Sequence, residues 1–342
     1  MKLLITGGCG FIGTNFADYF SKKGWEVTVL DNLSRRGTSE NLKWLQETHP
    51  AIRFIKADMR TDNKVLEEEV QKHDAIFHLA AQVAVTTSVA NPREDFEINV
   101  VGTLNLLEAI RTTKANPVLI YASTNKVYGG MEDIVVVQDG NRYKYRDLPE
   151  GIREDRLLDF HSPYGCSKGT ADQYVRDYAR IYGLRTIVFR QSCIYGPRQY
   201  GVEDQGWIAW FTIAALLQKN ITIYGDGKQV RDVLYVEDLA RAYELGVENI
   251  NKVSGQVFNI GGGPDKVLAI KEIFPLLEKF LGHSIPLQTS DWRPGDQPVY
   301  VSNIDKAKKI LGWEPKVAPI DGVTKLFEWC NKNIAVFKQL GF

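Results

Sequence analysis

TGGCGFIG, residues 6–13, follows the apolar run Leu3-Leu4-Ile5 and sets Gly7, Gly10 and Gly13 at three-residue spacing. Strand, glycine turn and helix, in that order, bring a helix N-terminus up to an anion. One glycine makes the turn, another lets the backbone approach the ligand, and the last lets the helix sit close to the strand. The first helical turn then offers unpaired N–H groups and the positive end of its dipole. A glycine triplet alone also makes an ordinary turn, but its setting here favours the anion. EVTVLD (26–31) reads as the next strand and ends on Asp31, eighteen residues after Gly13. A carboxylate there accepts hydrogen bonds from a ribose 2′-hydroxyl and repels a 2′-phosphate, so the spacing predicts a dinucleotide of the NAD type, not NADP. Arg35 and Arg36 oppose that preference slightly, and their plain reading is a solvated loop.

Outward from the loop, short β-rich runs alternate with longer helical patterns. KLLIT (2–6), EVTVLD (26–31), IRFIKAD (52–58), AIFHLAA (75–81), PVLIYAS (117–123) and LRTIVFR (184–190) lack two-residue alternation, as strands buried on both faces do. Helical segments near 11–23, 63–72, 93–114 and 164–182 fall between them. This order predicts an α/β fold with a Rossmann-like, doubly wound parallel sheet, all of whose strands precede residue 190. Beyond 190, the turns YGPRQYG, YGDGKQVRD and NIGGGPDK separate helices near 205–218, 236–248, 269–281 and 320–331. A smaller, interleaved α/β lobe fits them, and 342 residues exceed what one hydrophobic core usually organises. Trp207, Trp210 and Phe211 sit at helical spacing and read as core. Segment 129–160 is a long polar and aromatic stretch, and a loop of that length is more often functional than idle.

With 42 basic and 42 acidic side chains the formal charge is zero, which gives no electrostatic reason for nucleic acid or an anionic membrane as partner. No window reaches the roughly 18 apolar residues of a membrane span. MKLLITGGCG breaks into glycine before a signal-peptide core develops, so a cytoplasmic protein is expected. Cys9, Cys166, Cys193 and Cys330 are scattered without CxxC spacing. They read as buried free thiols, and no metal site is expected.

The second cluster is SPYGCSK (162–168). Tyr164 and Lys168 are four apart, neighbours on one helical face, and Ser162-Pro163 starts a helix well. An ammonium beside a phenol favours the phenolate, which suits Tyr164 to move a hydroxyl proton while hydride goes to NAD. The plainer reading is an ordinary surface pair. That reading wins for the motif in isolation and loses once a dinucleotide fold precedes it.

TGGCGFIG, Asp31, HLAA (78–81), YASTNKVYG (121–129) and SPYGCSK together resemble the extended short-chain dehydrogenase/reductase superfamily. YGPRQ (195–199) and YGDGKQVRDVLYVED (224–238) resemble its nucleotide-sugar enzymes. The resemblance spans the chain. It implies a catalytic set of Thr124, Tyr164 and Lys168, with Lys168 also holding the nicotinamide ribose. It implies NAD contacts from Gly7, Gly10, Phe11, Ile12, Gly13, Asp31, Asn32, Asp58, Met59, Leu79, Ala80, Ala81, Gln82 and Asn99, besides Tyr164 and Lys168. Substrate contacts are implied for Gln82, Val83, Thr124 and Asn125, with Arg231 and Arg293 on the diphosphate, where guanidinium forks suit phosphate oxygens. Thr86 and Ser88 share the loop of Gln82 and Val83, at the strand end where open sheets bind ligands. The expected division is an NAD-binding domain of residues 1–189 plus 233–262 and a nucleotide-sugar-binding domain of residues 190–232 plus 263–342.

Related 4,6-dehydratases carry Asp-Glu directly after the catalytic Thr; here Asn125-Lys126 follow Thr124, which discounts dehydration. Carbanion-type epimerases use a Cys/His pair. Cys166 lies inside the Tyr-to-Lys turn and reads as packing, and His161 reads as a structural hydrogen-bonder. Reversible oxidation is left. Blocks 81–109, 123–129, 158–174 and 204–211 resemble the CDP-paratose 2-epimerase (CDP-tyvelose epimerase) family, which implies epimerisation at C2 with NAD retained. Cys193, in RQSCIYGP, stands where galactose-type 4-epimerases have Asn. A UDP-sugar 4-epimerase, a GDP-sugar 2-epimerase and, outside enzymes, an NAD-binding sensor or scaffold stay as alternatives. A sensor has no physical need of the intact Thr124/Tyr164/Lys168 set. Helix 93–114 is apolar at Phe96, Val100, Val101, Leu104, Leu106, Leu107 and Ile110, wider than one core-facing stripe. With the resemblance, this implies a homodimer or homotetramer built on that helix and the Tyr164 helix.

Overall fold

The unalternated apolar runs pair side by side, all parallel, in a seven-stranded sheet. Its order is Gln256–Ile260, Thr186–Gln191, Val118–Thr124, Ala75–His78, Lys2–Thr6, Glu26–Asp31 and Arg53–Lys56. The computed structural model describes residues 1–293 and 296–342. Both sheet faces are covered, which is why alternation is missing. Leu3, Ile5, Val29 and Phe77 pack with Phe16, Phe20 and Tyr243 on one side. Leu4, Leu30, Ile76 and Leu119 pack with Leu106, Leu107 and Val175 on the other.

One strand corrects the expectation that all precede residue 190. Gln256–Ile260 joins the sheet edge beside Thr186–Gln191, delivered by helix Val236–Glu248. In QVFNI the polar Asn259 interrupts the run and leaves only Val257-Phe258 as a continuous apolar pair, too little to stand out among the turns of the second lobe. Helix Thr38–Thr48 shows no helical pattern in the sequence either, because only Thr38, Asn41 and Leu45 of its eleven residues are buried.

The chain winds outward through the strands at 2–6, 26–31 and 53–56. It then crosses back to place 75–78 on the other side of the first strand. That reversal opens a crevice at the C-terminal ends of Lys2–Thr6 and Ala75–His78, where the glycine loop begins. The helix expected over 93–114 is three pieces: Pro92–Phe96, a π-helical turn Glu97–Val101, and Gly102–Thr113. A π-turn inserts a residue and re-aims what it carries; here it carries Asn99.

Beyond the sheet, strands Cys193–Tyr195, Val230–Tyr235, Val267–Ala269 and Val299–Tyr300 form a second, smaller sheet, and Ile221–Tyr224 pairs with Leu287–Ser290. Phe211, buried with Ile208, Phe274 and Leu326, and the partly buried Trp207 and Trp210 do pack as core. Segment 129–160 is not a bare loop. It holds the hairpin Val136–Asp139/Arg142–Tyr145, tied to the second lobe by Tyr143 Oη on Asp226 (2.8 Å) and Arg142 on Glu272 (2.5 Å). Among the described residues, no helix is long and apolar enough to cross a membrane.

A buried ion pair joins these parts under the crevice. Arg190 grips Asp172 with both ends of its fork (2.9 and 3.1 Å), and Ser123 Oγ donates to the same carboxylate (2.7 Å). Arg190 also meets Tyr128 Oη (3.1 Å), which donates to Asn259 Oδ1 (2.7 Å). Both charges are almost fully buried, so removing one strands the other. Arg190→Met is expected to cost about 3–5 kcal/mol of stability in urea denaturation; a loss under about 1 kcal/mol would contradict this reading of the brace.

Candidate active site

At the crevice, Gly7 takes a left-handed φ of +67°, and a Cβ there would lie 2.7 Å from the Ala80 nitrogen. A Cβ on Gly13 would run into the Gly7 carbonyl and lie 2.6 Å from the Gly8 Cα. Gly8, which the three-residue spacing passes over, is equally constrained: its Cβ would strike Val29. Gly10 stands just before helix Phe11–Lys22, whose first N–H groups face the crevice mouth without intrahelical partners. The cradle is shaped for an anion that approaches backbone, as a dinucleotide pyrophosphate does.

Asp31 is buried at the end of its strand. Its carboxylate accepts from Cys9 N–H (3.0 Å) and Leu33 N–H (2.8 Å), and burial pushes its pKa up. Lone pairs remain for a ribose diol. Asn32 donates to Asp58 (3.0 Å), which Arg60 holds at 2.7 and 3.0 Å, while Met59 is buried beneath Gly102. Arg35 and Arg36 are exposed, as the plain reading of a solvated loop has it, but each also has a partner. Arg35 donates to Gln205 across the crevice (2.5 Å), and Arg36 lies 5.0 Å over the Phe342 ring. Asn15 on Pro197 O (2.8 Å), Asn41 on Arg198 O (3.3 Å) and the Tyr200 ring against Gly37 fasten segment 196–206 beside the glycine loop.

On the other side, Leu79 N–H and Ala80 N–H donate to Thr6 (3.1 and 3.4 Å), carrying Ala80 and Ala81 past the glycines. His78 is clamped between the hydroxyls of Thr6 (2.7 Å) and Thr103 (3.0 Å), and burial lowers its pKa to about 3, so it is neutral. The side chains of Gln82 and Asn99 turn inward. Gln82 bonds Ala84 and Asp95, and Asn99 accepts Gln82 N–H (2.9 Å) while donating to Asp95 (3.1 Å) and Ser167 (3.0 Å). Their geometry is that of supports. Ser88 is buried against Val85 O (2.6 Å) and Tyr164 N–H (3.1 Å), its hydroxyl spent on backbone; Val83 is partly buried and Thr86 exposed.

Tyr164 and Thr124 come together at the crevice floor, with Lys168 one helical turn beyond Tyr164. Ser162, at φ +70°, is a left-handed non-glycine that turns the chain into helix Ser162–Tyr182, and its Oγ accepts Gly165 N–H (3.2 Å) as a cap. Burial raises the Tyr164 pKa to about 12, against which the Thr124 hydroxyl and the Arg35 charge pull it down. The expected ammonium beside the phenol is replaced by another contact. Lys168 turns its amine to Ala122 O (2.6 Å) and over the Tyr121 ring (4.3 Å), because its stem runs down onto strand Val118–Thr124. Burial lowers the amine to about 7, opposed by Asp172 and Asp95. Asn125 Oδ1 accepts the Thr124 hydroxyl (3.3 Å), and Thr124 Oγ1 accepts Lys126 N–H (3.2 Å). Cys166 is exposed, contrary to its reading as packing: its side of the helix faces outward. His161 is exposed too.

Arg231 and Arg293 stand on the second lobe. Arg231 bonds Val230 O (2.9 Å); Arg293 lies 3.8 Å over Tyr224 and pairs with Asp204 (3.3 Å) and Glu203 (3.5 Å). Sequence reasoning missed the Asp95–Ser167 bond (2.5 Å) that seats the Tyr164 helix on the Gln82 loop. Ser167 lies within the SPYGCSK motif, but nothing in sequence pairs it with a carboxylate 72 residues away.

Without NAD, the folded protein sheds the Lys168 proton near pH 7, whereas an ordinary lysine keeps it to 10.5. Between those values the unfolded chain binds more protons, so stability rises with pH. Thermal melts of NAD-stripped protein should therefore show Lys168→Met above the wild type at pH 7, with the gap closing toward pH 10; a pH-independent gap would refute this.

A model of the NAD dependent epimerase/dehydratase family matches residues 3–261. The chain is 48% identical over 338 residues to the CDP-paratose 2-epimerase of Salmonella typhi, covering 97% of this chain and 99% of that one. The crystal structure of Thermotoga maritima UDP-glucose 4-epimerase with UDP-glucose superposes with a TM-score of 0.83 at 34% identity, covering 98% of this chain and 100% of that one. The Thermus thermophilus UDP-glucose 4-epimerase in complex with NAD gives 0.79 at 31% identity, covering 96% and 99%. With a glycine cradle, a ribose-directed Asp31 and a Thr-Tyr-Lys floor on a doubly wound sheet, the chain belongs to the NAD dependent epimerase/dehydratase family and its cofactor is NAD.

Proposed function

We propose that this chain epimerises a nucleotide-activated sugar at C2, converting CDP-paratose to CDP-tyvelose. The C2 hydroxyl is oxidised to a ketone, the sugar turns, and reduction occurs on its other face. The observation that carries this reading is the end-to-end likeness to the Salmonella typhi enzyme. NAD, when bound, takes up the hydride and gives it back. In this proposal Thr124 hydrogen-bonds the reacting hydroxyl, Tyr164 takes its proton and returns one to the other epimer, and Lys168 holds the ribose. Gly7, Gly10, Gly13, the helix start at Phe11 and Ile12, and Asp31 bind the dinucleotide, with Asn32, Asp58 and Met59 at its adenosine end. Leu79, Ala80 and Ala81 line it through backbone, while Gln82 and Asn99 brace that backbone. Val83 and Asn125 border the sugar, and Arg231 and Arg293 meet the diphosphate. Retention of NAD, which a reaction without net redox requires, is supported by the fastening of segment 196–206 beside the loop.

The lobes are proposed to divide as the sequence suggests, 1–189 plus 233–262 for NAD and 190–232 plus 263–342 for the sugar nucleotide. Packing adds that Ile304, Ala307, Leu311 and Trp313 return to the NAD lobe. The protein is further proposed to work in the cytoplasm, supported by four unpaired cysteines, and as a homodimer. Phe96 and Ile181 are 48% and 65% exposed on the two helices that the dimer would join, beside Val89, Tyr174 and Tyr182. Light scattering should show a dimer that Ile181→Glu turns into monomer; a wild-type monomer at all concentrations would sink the proposal.

UDP-sugar 4-epimerisation is the second reading, favoured by the Thermotoga maritima superposition. Both readings are tested by incubating the NAD-loaded protein with CDP-paratose in D₂O, without added NAD, and following the sugar by proton NMR. CDP-tyvelose without deuterium at C2 is expected. Deuterium at C2 would mean proton abstraction instead of hydride transfer. No conversion of CDP-paratose, with turnover of UDP- or GDP-sugars, would overturn the substrate.

A further inference from the structure

Lys126 belongs to none of the roles above. Its backbone N–H holds the Thr124 hydroxyl (3.2 Å), so the residue is fixed to the catalytic floor. Its partly buried amine reaches only Gln297 Oε1, at 3.4 Å. Among the described residues no carboxylate lies within ion-pair distance of it. The Arg231 guanidinium is close enough for its charge to act on it. Burial, with this charge behind it, pulls the amine down to about 8, opposed by Asp296 and the Cys193 thiol. Arg231 itself spends one N–H on Val230 O and has no carboxylate partner among the described residues. Two cations close enough to repel, neither with an ion-pair partner among the described residues and one of them on the residue that holds the catalytic hydroxyl, make a costly arrangement that an anion between them would relieve.

We infer that Lys126 is a positioning residue that grips the substrate β-phosphate and thereby seats the sugar with C2, not C4, at Thr124 and Tyr164. The inference rests on the proposed C2 reaction and supplies its geometry. Only C1 and the glycosidic oxygen separate C2 from the β-phosphorus, whereas most of the ring separates C4 from it. A catalytic hydroxyl at C2 therefore has the phosphate as its neighbour and needs a cation at its side. Lys126 is two residues from Thr124, and its amine lies within reach of the Arg231 charge. Cys193, close by, has a thiol that donates only weakly, so the amine has no strong competitor for the phosphate.

The test is calorimetry of CMP and CDP on the NAD-loaded wild type, Lys126→Met and Lys126→Arg, with bound NAD measured in each. Lys126→Met is expected to weaken CDP about 10- to 100-fold, as loss of a charge-assisted bond does, and CMP less than about twofold. Lys126→Arg is expected to restore most of the CDP affinity, and NAD content to stay constant. Unchanged CDP affinity, equal losses for CMP and CDP, or no rescue by arginine would overturn the role. If the wild type binds neither cytidine nucleotide, the cytidine reading fails, and UMP against UDP decides Lys126 by the same criteria.

Discussion

A helix N-terminus pressed against the end of a parallel strand, with no side chain between them, is the constraint on which the rest of this molecule depends. Gly7 and Gly13 touch across a gap that a single methyl would close, and Ala80 arrives from the neighbouring strand just as closely. The approach works because the strand order reverses here. Lys2–Thr6 and Ala75–His78 end side by side, while the connections leave in opposite directions. Asp31, Thr124 and Tyr164 gather around this point because strand ends and a following helix deliver them there, not because they are near in sequence.

The floor of the crevice is expensive to build. Lys168, Asp95, Asp172 and Arg190 are all buried, and each is held by specific partners: Ser167 and Asn99 on Asp95, Ser123 and Arg190 on Asp172. Burial sets the titrations of Tyr164 and Lys168 against proton release and proton retention respectively. Stability is thereby exchanged for groups whose protonation answers to whatever charge enters the site, the behaviour that proton transfer near neutral pH requires.

Much of this was legible in sequence because its signals are local. The glycine spacing, the carboxylate ending the next strand and the Tyr-to-Lys turn each lie within a few residues, and six of seven strands announced themselves as unalternated apolar runs. What stayed hidden is non-local. The turn of Gln82 and Asn99 into Asp95 depends on a π-turn that shifts Asn99, and periodicity does not reveal an inserted residue. The Lys168 amine chooses Ala122 O over the phenol because of where its strand lies in space. Arg35 read as solvated since Gln205, its partner, is 170 positions away. Spacing on one helix says which residues can be neighbours; the packed strands decide which of them meet.

The central claim is that hydride leaves the sugar, waits on a dinucleotide the protein never releases, and returns. It is tested most directly by a single turnover with CDP-paratose deuterated at C2, quenched before completion, with mass spectrometry of the dinucleotide and the sugars. The account predicts deuterium in the dinucleotide at short times and at C2 of the product at the end, with none lost to water. Product formed while the dinucleotide stays unlabelled and the deuterium appears in solvent would contradict it.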